Sequence, residues 1–162
     1  MAERSIFTDR EIAFLQELEK RKVQFIIVGA AAAALQGAPV VTQDIDLWFK
    51  DAKDPKLKEA IKAVGGAFVA PVGLNPPLLA GEGLRLFDVV LTMHGLGEFS
   101  KELHQTLLMS LGPAKVRVLR LERIIKSKEA LGRPKDILIL PALRDALVTI
   151  KATKQLMKKR KA

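Results

Sequence analysis

Apolar and polar positions change period several times along the chain, and each change marks an element. "TDREIAFLQELEKRKV" (Thr8 to Val23) places Ile12, Leu15 and Leu18 at helical spacing, and Thr8 with Glu11 three residues later forms a capping-box pattern at its start. "VQFIIVG" is an apolar run short enough to be a buried strand, and "AAAAALQG" reads as a short helix stopped near Gly37. "QDIDLWF" is the second strand. "DPKLKEAIKAVGG" follows as a helix, with Pro near its start and Gly at its end. Gly and Pro crowd the region from Ala67 to Gly83, which predicts a loop around one short strand. "LRLFDVVLT" predicts a strand, "GEFSKELHQTL" a helix and "AKVRVLR" another strand. From Leu121 the pattern is helical: "LERIIKSKEALG", a break at Gly132-Arg133-Pro134, then "PKDILILPALRDALVTIKATKQLMKKRK". Pro141 is expected to kink or divide that last segment. The order αβαβα…βαβαα, with no internal repeat or linker, predicts one α/β (α+β) domain over residues 1–162 whose C-terminal part, from about 121, is helical.

Composition narrows the class. Nearly half of the 162 residues are apolar, which suits a sizeable core. There is no cysteine, which excludes a disulfide framework and any thiolate zinc site. The start "MAERSIFTDREI" is charged and lacks the apolar segment of a secretory signal. The longest apolar run is interrupted by Gln36, Gly37 and Pro39 and is too rich in Ala for a membrane span. A soluble cytoplasmic protein with no membrane partner is expected. The 27 basic and 18 acidic residues leave a net charge of +9, which favours a polyanionic partner: nucleic acid, nucleotide phosphates or an acidic protein.

Against this background "VTQDIDLWF" (Val41 to Phe49) is anomalous, because Asp is depleted in strands and a buried unpaired carboxylate is costly. Strand side chains alternate, so Asp44 and Asp46 are expected to project together, and like charges so placed repel unless a cation or a shared proton intervenes. Carboxylate oxygens in this arrangement suit Mg²⁺. Asp88, centred in "LRLFDVVL", is a third candidate, and three carboxylates on one sheet edge are what a two-metal phosphoryl-transfer site requires. Upstream, "FIIVGAAAAALQG" places a tight turn at Gly29 and a helix start at Ala30, whose free N–H groups suit an anion. His94 and His104 have no evident partners for zinc. Trp48 has two readings, stacking on a base or packing in the core, and the second is commoner for a lone Trp.

"VGAAAAALQGAPVVTQDIDLWF" is similar to the signature of the nucleotidyltransferase superfamily (DNA polymerase β-like fold): apolar strand, Gly turn, short helix, then Asp-apolar-Asp-apolar, with "LFDVVL" in place of the later third carboxylate. "KSKEALGRPKD" resembles a segment of the small prokaryotic branch that contains toxin–antitoxin nucleotidyltransferases, and Thr42 also matches that branch. The matches cover Ile27–Leu47, Phe87–Val90 and Leu121–Leu143. The resemblance implies a mixed sheet flanked by helices and transfer of a nucleoside monophosphate from an NTP to a hydroxyl. It implies that Asp44, Asp46 and Asp88 are catalytic and hold two Mg²⁺, and that Gly29 and Ala30 lie against the nucleotide phosphates. Lys128 and Arg133 would neutralise the triphosphate, with Lys135 a weaker candidate, and Asp136 is expected to cap the final helix.

With the basic balance, the expected acceptor is RNA, such as a tRNA, and the branch raises a cognate antitoxin or other partner protein. Three positions depart from the pattern: Ala30 for a second Gly or Ser, Val40 for a basic residue and Ile139 for an acidic one. Each removes a polar contact. They keep open a second reading, a catalytically weak binding or regulatory module on the same fold.

Overall fold

A computed structural model describes residues 6–161. The first five residues of the charged start and the final Ala162 lie outside the described residues. Helix α1 (Asp9–Lys20) opens with the expected capping box, in which Glu11 N donates to Thr8 Oγ1 at 3.3 Å and Thr8 N to a Glu11 carboxylate oxygen at 2.8 Å. Its apolar stripe, Phe14, Leu15 and Leu18, is completely buried. Strand β1 (Phe25–Val28) is buried along its whole length, as its unbroken apolar run requires. Helix α2 (Gly29–Leu35) follows without a linker, then strand β2 (Ile45–Phe49) and helix α3 (Pro55–Ala63), capped by Asp54 with Pro55 in its first turn.

The segment from Ala67 to Gly83 holds two short strands instead of one, β3 (Ala67–Val69) and β4 (Leu78–Ala80), paired antiparallel. Each has three residues and both are largely exposed, too short to print an alternating pattern on the sequence. Strand β5 (Phe87–Val90) forms where expected. The helix expected over "GEFSKELHQTL" is reduced to one turn, α4 (Phe99–Glu102), and a 3₁₀ turn over Leu103–Gln105. From Thr106 the chain extends as β6 (Thr106–Leu111), which the sequence reading missed, and turns into β7 (Ala114–Leu119). The antiparallel register Thr106↔Leu119 to Leu111↔Ala114 overrides a local pattern that suits a helix equally well. Helix α5 (Leu121–Leu131) ends at Gly132, whose left-handed φ of 59° closes it, and α6 (Pro134–Lys161) runs 28 residues without division at Pro141.

The seven strands form one mixed sheet in the order β3-β4-β5-β2-β1-β7-β6, with β1 antiparallel to β2 and β2 parallel to β5. Edge-on aromatic contacts mark packing on both faces: Phe14 of α1 meets Phe87 at 5.2 Å, and Phe99 of α4 meets Trp48 at 5.4 Å. No helix is long and apolar enough to cross a membrane among the described residues.

Candidate active site

Asp46 is the second residue of β2, and its in-register neighbours are Val28 on β1 and Asp88 on β5. Registered residues of a ladder share a face, so Asp46 and Asp88 project side by side from adjacent central strands. Asp44 does not lie in the strand as expected. It stands one residue before β2, exposed, in a loop where the Thr42 hydroxyl donates to its backbone carbonyl at 2.8 Å. It nevertheless remains close enough to act on both other carboxylates. Burial, then Asp88, then Asp44 raise the Asp46 pKa against Lys128 and Lys135, which lower it, and burial followed by Asp44 raises that of Asp88. The three predicted carboxylates are thus one electrostatic cluster.

Gly29 supplies the space for it. Its φ is +69°, a region that L side chains rarely adopt, and a Cβ there would overlap Oδ2 of Asp46 and stand 3.3 Å from its Cγ. The turn from β1 into α2 therefore brings backbone directly onto the central carboxylate. Ala30, the next residue, is half-buried in the first turn of α2.

The cations come from the α5–α6 junction. Lys128, on the last turn of α5, lies 3.2 Å from Asp136, and Arg133 Nε lies 2.6 Å from the same carboxylate. Asp136 is fully buried in the first turn of α6 and also accepts from Arg133 N at 3.3 Å, the capping role expected of it. Its hydrogen bonds with Arg133 and Lys128 hold its pKa down to about 2. Lys128, Lys135 and Arg133 all act on Asp46 across space, so the junction faces the carboxylates.

Gln36 was not recognised from sequence as part of this arrangement. Its amide donates to Ala32 O at 2.9 Å and Leu119 O at 2.8 Å, while its oxygen accepts from Leu121 N at 2.9 Å. One side chain thereby ties the end of α2 to the start of α5. A Gln after a helix carries no signal of such a bridge until the partners are adjacent. Trp48 is buried, with its indole N–H donating to Leu91 O at 3.2 Å, so of its two readings the packing role holds.

The donor set fits a hard divalent cation: three carboxylates, two of them in register, mutually repelling and facing a glycine that leaves room. Among the described residues, however, no three acidic or imidazole side chains are gathered tightly enough to hold an ion as they stand. Asp44 and Asp88 are both exposed, and Asp46 is half-buried between them and Gly29.

No protein-family model matches the chain, and no curated protein sequence does. Solved structures do. The chain is similar to ANT(2'')-Ia in complex with adenylyl-2''-tobramycin, with TM-score 0.57 and 18% identity over 93% of this chain and 95% of that one. The solution structure of the antibiotic-resistance factor ANT(2'')-Ia aligns with TM-score 0.56 and 17% identity over 91% and 89% of the two chains. An antigenic nucleotidyltransferase-like protein from Paracoccidioides brasiliensis aligns with TM-score 0.51 and 17% identity, over 94% and 93%. The alignments cover nearly the whole of both chains, and the chain has the nucleotidyltransferase fold.

Proposed function

We propose that the protein is a Mg²⁺-dependent nucleotidyltransferase that moves a nucleoside monophosphate from an NTP to a hydroxyl on RNA. The observation that carries this reading is the register pair Asp46↔Asp88 beside the open turn at Gly29. Asp44, Asp46 and Asp88 would hold the metal, which supplies charge neutralisation on the phosphates when bound. Gly29 and Ala30 offer backbone N–H groups to the phosphates, and Lys128, assisted by Arg133 and Lys135, balances the negative charge of the triphosphate. The acceptor oxygen attacks the α-phosphorus as the bond to pyrophosphate breaks. Its proton passes to Asp88, the exposed carboxylate on β5 in register with Asp46. Pyrophosphate leaves with the charge that Lys128 has balanced.

The fold's neighbour with an adenylylated tobramycin supports nucleotidyl transfer as chemistry this scaffold performs. It does not define the acceptor here. A net charge of +9 disfavours an amine-bearing aminoglycoside and favours a polyanion. Incubation with labelled NTPs, Mg²⁺ and either total RNA or tobramycin, with Asp44→Ala as control, tests this. Label transferred to RNA and lost in the control is the expected result. Label on tobramycin alone would reassign the acceptor. No label on either, with NTP still bound, would favour the catalytically weak module of a toxin–antitoxin-like pair, to which Ala30, Val40 and Ile139 point.

A further inference from the structure

Helix α6 begins at the site and ends far from it. Every residue from Lys151 to Lys161 is exposed, yet the segment stays helical. It carries six basic residues, Lys151, Lys154, Lys158, Lys159, Arg160 and Lys161, and no acidic one. At 3.6 residues per turn, Lys151, Lys154, Lys158 and Lys161 fall on one stripe about 80° wide. That stripe continues the face that Leu143, Leu147 and Ile150 turn toward the body, where Leu143 is buried and the other two half-buried. The core-facing seam therefore changes from apolar to basic where the helix leaves the core. Lys154 already lines a groove with Arg120, Leu107, Leu108 and Met109, so the stripe overhangs the body.

Lys–Lys pairs three and four residues apart oppose helix formation, and this arm has no acidic residue to offset them. A polyanion laid along the stripe would remove that repulsion. We infer that the arm, with Arg120, is a docking surface for the phosphate backbone of the acceptor RNA, away from the reacting end. Only the placing of that end at the carboxylates rests on the proposed function.

Helix rise sets the scale. Lys151 and Lys161 stand about 22 Å and about 38 Å along the axis from Asp136. At about 3.4 Å of helix axis per phosphate on each strand, a stacked, helical acceptor reaching both places spans about 6–11 phosphates. A short oligonucleotide cannot engage the arm and the site together.

The test measures binding of 12-nucleotide and 4-nucleotide RNAs to the full chain by fluorescence anisotropy at 50 and 200 mM salt. Two variants of equal charge are compared: Lys154→Gln with Lys158→Gln on the stripe, and Lys159→Gln with Arg160→Gln off it. For the 12-nucleotide RNA, the stripe variant should lose affinity at low salt. Removing two phosphate contacts should also shrink its salt-induced weakening about sevenfold. The off-stripe variant should bind as the parent does, and the 4-nucleotide RNA, too short to reach from arm to site, should bind the parent more weakly than the 12-nucleotide RNA. Equal losses in both variants, or poly-glutamate competing as well as RNA, would overturn the inference. The same proteins are titrated with a labelled NTP and Mg²⁺, which all should bind equally. Failure of the parent chain to bind NTP would remove the proposed chemistry while leaving the RNA result intact.

Discussion

Gly29 meets two demands that no other residue meets at once, a positive φ and no atom where the Asp46 carboxylate stands. In Gly29→Ala the left-handed backbone costs about 1–2 kcal/mol, and the carboxylate, being the tip of a flexible side chain, turns away from Asp88. Urea denaturation should show that modest loss while nucleotidyl transfer falls by orders of magnitude. In an Asp46→Ala background the stability loss should shrink toward the backbone share alone. Asp46 itself gives a pH test. Its folded pKa is raised above 3.8 by burial and by Asp88, so between 3.8 and that raised value the folded state holds a proton the unfolded chain has released. Stability is therefore fully present below 3.8 and lost as pH rises through the raised value. Metal-free Asp46→Asn should be as stable as the parent at acid pH and as stable or more so at neutral pH, by thermal denaturation. A large drop at neutral pH would mean that Asp46 is a structural ion-pair partner.

Elements meet at Asp136, which has the opposite sign. Its pKa is held down to about 2 from 3.8, so its contribution is present above 3.8 and disappears as pH falls toward about 2. The shift corresponds to about 2 kcal/mol at neutral pH. Asp136→Ala should cost more, about 3–5 kcal/mol, because it leaves Lys128, whose side chain is only 17% exposed, without its counter-ion and uncaps α6. Chemical denaturation of the variant measures this, and a loss under 1 kcal/mol would show that the junction is held by packing alone. The helices that Asp136 joins were legible from "LERIIKSKEALG" and "GRPKD", because caps and apolar stripes are local. That Lys128 and Arg133 share one buried carboxylate was not, because it depends on how the chain turns at Gly132.

At the scale of the molecule, binding of Mg²⁺ to mutually repelling carboxylates should appear as stability. At 100 times its dissociation constant a ligand adds about 2.7 kcal/mol, which for a chain of this size is about 5–10 °C in melting temperature. Asp44→Ala should abolish the shift and chelation should reverse it. A melting temperature indifferent to Mg²⁺ would remove the metal from the proposal. Charge acts at this scale too, but unevenly. Arg123 is one of the 27 basic residues, yet it is held by Glu102 at 2.9 and 2.5 Å, so part of the +9 is structural.

Sequence by itself determined the features set by local periodicity and composition: α1 with its capping box, the buried β1, the glycine turn and the aspartates out of place in an apolar strand. These depend on neighbours within a few residues, where a pattern can be read. Tertiary structure alone decided that Asp88 stands beside Asp46, since that needs parallel pairing of strands forty-two residues apart. It alone decided that Asp44 falls outside the strand and that "TLLMSL" extends against β7 instead of continuing a helix. The physical reason is the same in each case. A strand's partner supplies half of its hydrogen bonds and much of its packing, so short strands, their ends and whatever their register brings together are decided by distant residues.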